Sequence, residues 1–319
     1  MAQNDLTQGS IIGNISRFSL PYMLSYFLQI LYGLADMFVI GQYCGVDSTT
    51  AVANGAQIMH MFTVIIIGLA MGTTVRLGRA IGAKDKNEAS KTIGNTFTLF
   101  ALTAIVATFI LLLANRSIVS MIDTPPEAVK GTIDYLRICF IGIPFIIAYN
   151  IIASIFRGLG DSKSPMYFVI VACVANIALD YIFIGHFGLG PSGAALGTTL
   201  SQMISVIIAA IVIRRKSLLN ISGQDLRPER RTMGGILKIG VPVALQDGFI
   251  QIAFIAITAI ANGRGLNDAA AVGIVEKFIG LLFIVPSAML ATVSAMAAQN
   301  IGAKKPERAR KTMEYAIAI

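Results

Sequence analysis

Asn176 and Asp180 lie four residues apart inside the apolar run Ala175–Gly185, so on a helix they share one face. A carboxylate at the centre of a bilayer costs about 2.5–3.5 kcal/mol on insertion scales, and ionisable groups at that depth are functional by default. Asp36 stands in a second apolar run, at the end of a polar series formed by Tyr22, Ser25, Gln29, Tyr32 and Asp36. Its spacings of 3, 4, 3 and 4 draw one stripe along a helix. A third run carries Thr198, Gln202 and Ser205 on a common face. Such oxygen-rich side chains suit a hard cation or a shared proton and are poor ligands for zinc or copper. If Asp36 and Asp180 converge, the two carboxylates cannot both stay ionised in a low-dielectric setting. The pair can then take up H⁺ or Na⁺ on one side and release it on the other.

The surrounding elements must be membrane helices. Hydrophobic residues make up 55% of the 319-residue chain and charged residues 13%, and the mean hydropathy is +0.73. A soluble domain carries about 25% charged residues. Apolar runs of about twenty residues predict spans near 18–41, 51–77, 93–114, 133–156, 165–187, 191–213, 236–262 and 270–298. The connections alternate in charge. Five Lys/Arg fall between Arg76 and Lys91, seven between Arg214 and Lys238, and five between Lys304 and Lys311. Arg116, Lys130, Arg137 and Arg264 are the cations of the other side. The positive-inside rule therefore places the N-terminus in the cytoplasm of a multi-pass protein of the cell (inner) membrane. The net charge of +8 follows from this topology and implies no nucleic-acid partner. The N-terminus lacks the basic region and cleavage site of a signal peptide. Cys44, Cys139 and Cys173 imply no disulfide framework.

The chain repeats itself. Ile81-Gly82-Ala83-Lys84 matches Ile301-Gly302-Ala303-Lys304 at an offset of 220, and the same offset pairs Lys91-Thr92 with Lys311-Thr312. One residue further off, Ser19–Leu24 matches Gly240–Leu245, proline on proline. Spans one and two thus recur as spans seven and eight. An even number of intervening spans makes this a parallel repeat about an axis along the membrane normal. The implied organisation is an N-lobe of six helices (1–213), a basic linker (214–235) and a partial C-lobe (236–319) with two helices and the start of a third. A complete second repeat would carry the chain to twelve spans, so the sequence reads as C-terminally truncated.

Other polar residues have plainer readings. Tyr22 and Ser25 are expected to make interhelical hydrogen bonds, and His60 a hydrogen-bonded packing contact. Glu276 beside Lys277, and Asp247 in span seven, are candidates for a substrate cavity. At the offset of Asp36 the second repeat has Ala256 or Ile257, which confines the cation chemistry to the first half. The loop Arg157–Pro165 reads as a tight cytoplasmic turn. No G-x-x-x-x-G-K-[ST] pattern occurs in it or elsewhere, so ATP does not drive this chain through a Walker motif.

These elements together resemble the multidrug and toxic compound extrusion (MATE) transporters. The resemblance rests on Pro21 with Asp36 and Gly41 after it, on Arg157–Pro165, on N-I-A-L-D at 176–180, on Gly193–Gln202, and on the repeated I-G-A-K loops. It implies twelve helices in two six-helix lobes around a central cavity, all-α and polytopic. It also implies export of cationic or amphipathic organic compounds against Na⁺ or H⁺ influx, without a cofactor. By motif, Asp36, Asn176, Asp180 and Thr198 resemble the first-lobe cation site of the DinF-like branch, which would hold Na⁺ if that is the coupling ion. Gln29 and Asn150 fall at cavity positions, and Tyr32, Gln202 and Glu276 are further substrate-binding candidates. The acid that some relatives carry in span seven is missing at Phe249-Ile250-Gln251, which disfavours a NorM-like site.

The expected function is alternating-access antiport by a protein that works as a monomer at full length in a lipid bilayer. The alternative within the superfamily is a flippase for lipid-linked oligosaccharides or peptidoglycan precursors. That would favour several Arg or Lys in the spans, where the sequence places Lys277 alone. An intramembrane enzyme would need D-D-x-x-D, H-E-x-x-H or a Ser/Lys dyad, and none occurs.

Overall fold

The computed structural model describes residues 5–122, 124–215, 222–264, 272, 275 and 278–319. Among them are nine α-helices: α1 (Ile11–Tyr43), α2 (Val46–Gly82), α3 (Lys86–Met121), α4 (Pro126–Gly158), α5 (Lys163–Asp180), α6 (Gly190–Arg215), α7 (Arg230–Arg264), α8 (Ile284–Gly302) and α9 (Pro306–Ala318). Asp180 is followed by a π-helical turn, Tyr181–His186. Eight of the helical segments are long and apolar enough to cross a membrane. They run past the predicted spans because capping and amphipathic turns continue each helix beyond the hydrocarbon. A helix of 33 residues such as α1 is about 50 Å long, against a hydrocarbon core of about 30 Å.

Local signals explain the ends. The Ser10 hydroxyl accepts the Gly13 N–H at 3.3 Å to start α1, and the Asp85 carboxylate accepts the Glu88 N–H at 3.0 Å to start α3. Helix α4 begins at Pro126, where a missing N–H costs nothing. Along α1 the polar stripe turns inward, with Ser25 and Asp36 buried, while Leu24, Phe27, Leu31, Leu34 and Phe38 are exposed along the opposite face. That exposed row keeps the 3-and-4 spacing and is the surface that lipid covers. Helix α4 is buried over most of its apolar length, whereas α3 lies at the periphery.

The repeat is visible in the backbone. Helices α2 and α8 both end on a lysine in the left-handed region, Lys84 at φ 59° and Lys304 at φ 58°, where glycine is the usual choice. Each closes the same motif. The Asp85 N–H donates to Ala80 O at 3.0 Å, and the Lys305 N–H donates to Asn300 O at 2.8 Å.

The two repeats meet through these ends. A Cβ on Gly82 would collide with the Gln299 carbonyl, and one on Gly302 with the Arg79 carbonyl. Each of those contacts maps onto the other at the offset of 220. Further along α2, a Cβ on Gly68 would stand 2.7 Å from Ala244 Cα of α7, so α2 and α7 touch backbone to backbone. A pair of arms fastens the same end. The arm before α1 lies on the second repeat: Asn300 donates to Leu6 O at 3.3 Å, Lys305 to Thr7 O at 2.9 Å and Arg308 to Gln8 O at 2.8 Å. The arm before α7 lies on the first repeat. Asn95 donates to Asp225 O at 3.2 Å and accepts the Glu229 N–H at 2.7 Å, and Thr98 donates to Leu226 O at 2.7 Å.

Three local expectations are corrected. Ser25 bonds within its own helix, donating to Pro21 O at 2.8 Å, because a helical serine hydroxyl reaches the carbonyl one turn before it. His60 is exposed on α2 rather than packed. Arg157 is not in a loop: it belongs to the last turn of α4 and is 6% exposed. The turn itself is shorter, and Asp161 orders it by accepting the N–H groups of Lys163 and Ser164 at 2.9 and 3.0 Å.

Candidate functional site

Helices α1, α5 and α6 pack on one another and bring together the four residues singled out by type and spacing. The Thr198 hydroxyl donates to Asp36 Oδ2 at 3.3 Å. The Asp36 carboxyl also lies within hydrogen-bonding reach of Asp180 and Asn176. Asp36 is 6% exposed, Asn176 1% and Asp180 0%, so bulk water cannot solvate these groups.

What distinguishes the cluster is its lack of partners. Asp36 Oδ1, both Asp180 oxygens, and the Asn176 oxygen and nitrogen are buried without a well-formed hydrogen bond among the described residues. Two adjoining carboxylates have no donor between them until one takes a proton or a cation intervenes. An unsatisfied buried polar atom ordinarily costs about 1–3 kcal/mol, and more if charged. Several at one place make a cage of unpartnered polar atoms, which sets it apart from the ordinary core, where buried polar groups are hydrogen-bonded.

The local backbone accommodates that cage. A Cβ on Gly197 would strike Asp180 Oδ1, so only glycine lets α6 come this close to the carboxylate. The π-helical turn begins at Tyr181, directly after Asp180; such turns are frequent at functional sites. Sequence reasoning missed Gly197, since a glycine in an apolar helix carries no sign of what stands opposite. It also missed α4: Cys139 and Tyr135 interact with each other and lie close enough to Asp36 to feel its charge.

The substrate candidates divide. Tyr32 lies within electrostatic range of Asp36, and its hydroxyl is close to the Gln202 side chain. Gln29 and Asn150 line a separate cavity nearer the clasped end, together with Tyr22, Ser25, Tyr26, Tyr149 and Arg157. Ser205 is structural, donating to Phe168 O at 2.9 Å. Asp247 is half-buried on α7 and sits within electrostatic range of Tyr26. Glu276 lies outside the described residues. Among those residues no cluster of three His, Cys, Asp or Glu could hold a metal ion.

Comparison with known proteins places this architecture. The family model described as MatE matches residues 21–182 and 242–319. The chain belongs to the MatE family. It is 30% identical over 311 residues to the "Probable multidrug resistance protein YpnP" of Bacillus subtilis (strain 168), covering 97% of this chain and 69% of that protein. It is 29% identical over 316 residues to the "Probable multidrug resistance protein YoeA" of the same organism, with 97% and 68% covered. The fold superposes at a TM-score of 0.91 on a solved MOP superfamily transporter from Pyrococcus furiosus, at 27% identity, covering all of this chain and 71% of that one. This MatE chain therefore spans roughly two thirds of the length of its relatives, a larger N-lobe and a smaller, incomplete C-lobe.

Proposed function

We propose that this MatE protein is a secondary active efflux transporter that exports organic cations and amphipathic drugs in exchange for Na⁺ or H⁺ by alternating access. The observation that carries the reading is the buried Asp36–Asp180 pair, unpartnered but for Thr198. Two like charges about 4 Å apart repel by about 4 kcal/mol at an effective dielectric of 20. An H⁺ held between Asp36 Oδ1 and Asp180, or a Na⁺ ligated by both carboxylates with the Asn176 and Thr198 oxygens, removes that repulsion and draws α1 against α5. Its release lets the helices part. Binding is thereby tied to a helix movement, which is the requirement for coupling.

The ligand set lies on α1, α5 and α6, and Ala256 and Ile257 stand at the offset of Asp36, which supports assignment to the DinF-like branch. The lobes are taken as 1–213 and 236–319, joined by the basic linker 214–235. The clasped end carries the basic connections, which supports a cytoplasmic N-terminus and a cytoplasmic face that is shut in this conformation. The names of YpnP and YoeA support drug-like organic compounds as substrates, and the self-contained ion site supports function as a monomer.

The test is gradient-driven efflux of a fluorescent organic compound from proteoliposomes containing the full-length protein, with a Na⁺ or a pH gradient. Asp36→Asn and Asp180→Asn should each reduce coupled transport to the protein-free background. Unchanged coupled transport in both variants sinks the ion-site reading.

A further inference from the structure

Arg157 has no role in the ion site, and its setting is unusual. It is 6% exposed at the inner end of α4, yet it forms no ion pair or hydrogen bond among the described residues. Its Nε is buried with no acceptor at all. Its stabilising contact is with an aromatic face, the guanidinium carbon lying 5.5 Å from the Tyr22 ring centroid on α1. A cation–π contact recovers less than burying a cation without an anion costs. The guanidinium borders the cavity that Gln29, Asn150, Tyr22, Tyr26 and Ile67 also line, and among the described residues no carboxylate lines it.

We infer that this cavity is a subsite for the anionic group of an amphipathic ligand, with Arg157 as its counter-ion. The planar fork of arginine matches the oxygens of a phosphate or carboxylate in a bidentate fashion. The Gln29 amide adds a donor at the same wall. Tyr22 and Tyr26 form a tilted aromatic pair, centroids 6.1 Å apart, which gives an apolar ligand body a surface to lie against. The cavity measures about 20 Å³, room for about one water, so a ligand must displace the half-buried Tyr22 and Tyr26 rings to bring its anionic group to Arg157. The subsite refines the export reading by naming a substrate chemistry, while its own test involves no transport.

The experiment compares 1-naphthyl phosphate with 1-naphthol, the same ring with and without the anion. Binding is measured by equilibrium dialysis on the full chain in phosphatidylcholine nanodiscs, with protein-free discs subtracted. The phosphate should bind about 10-fold tighter or better. Arg157→Gln should erase that preference and leave naphthol binding unchanged. Arg157→Lys, which keeps the charge without the fork, should retain part of it and serves if the glutamine variant fails to fold. The readout is binding without any gradient, so its failure and failure of the ion-site reading remain distinguishable. Adding phosphatidylglycerol to the discs identifies the source of the anion. Competition, with phosphatidylglycerol co-purifying with the wild type but not with Arg157→Gln, assigns a lipid headgroup; no effect assigns a soluble ligand. Equal binding of the two probes by the wild type, or a preference that survives Arg157→Gln, overturns the proposal.

Discussion

The two repeats share a backbone but not an interior. At their clasped ends they agree atom for atom: Lys84 and Lys304 adopt the same left-handed conformation, and Gly82 and Gly302 approach each other's helices in reciprocal fashion. Within the membrane the agreement stops. Helix α1 carries Asp36 into a buried polar cluster, whereas its counterpart α7 presents Ala256 and Ile257, both exposed, at that depth. A turn that joins two helices and lets lobes meet is constrained by sterics in both copies. A carboxylate in hydrocarbon is costly, and at the depth of Asp36 the first copy carries one and the second does not.

The strongest way to break this comparison is to move the acid. In the double variant Asp36→Asn, Ala256→Asp, coupled transport should stay at background, because among the described residues α7 packs on α2 and α3 and not on the helices that carry Asp180 and Thr198. The added aspartate should also lower the stability of the detergent-solubilised protein by about 2.5–3.5 kcal/mol, if that site faces hydrocarbon. Recovery of gradient-driven transport would show that the two interiors are interchangeable after all. Gly82→Leu and Gly302→Leu test the shared part. Overpacking typically costs about 1–3 kcal/mol, and the two variants should melt within a few degrees of each other; a large disparity would mean that the ends are not equivalent. The smallest effect concerns the arms. Asn95→Ala loses two hydrogen bonds to the linker arm and Asn300→Ala one to the N-terminal arm. At about 1 kcal/mol per bond, denaturant midpoints should fall further for Asn95→Ala.

Much of this was legible beforehand. Eight spans, the repeat and the shared faces of Asn176–Asp180 and Tyr22–Asp36 follow from periodicity and offset, since lipid enforces both. That Asp36, Asn176, Asp180 and Thr198 meet required the fold, because spacing fixes neighbours along a helix and not across helices. Arg157 was misplaced for a physical reason: hydropathy ends a span at the first charge, while the helix carries on and folds that charge inward. Gly197 was invisible because its importance lies in the Asp180 oxygen opposite it.

The crossed arms have a mechanical consequence. Each repeat is held by the chain that leads into the other, so neither arm can be released by moving its own lobe alone. Separating the lobes at this end takes from the Leu6, Thr7, Asp225 and Leu226 carbonyls the donors that the opposite repeat supplies. The fastening therefore behaves as a single two-position catch whose threshold is the sum of both sets of bonds. Its acceptors in the arms are main-chain carbonyls, while the buried Leu6 side chain packs with Ile15, Phe18, Ala295 and Met296 and adds an apolar contact to the catch.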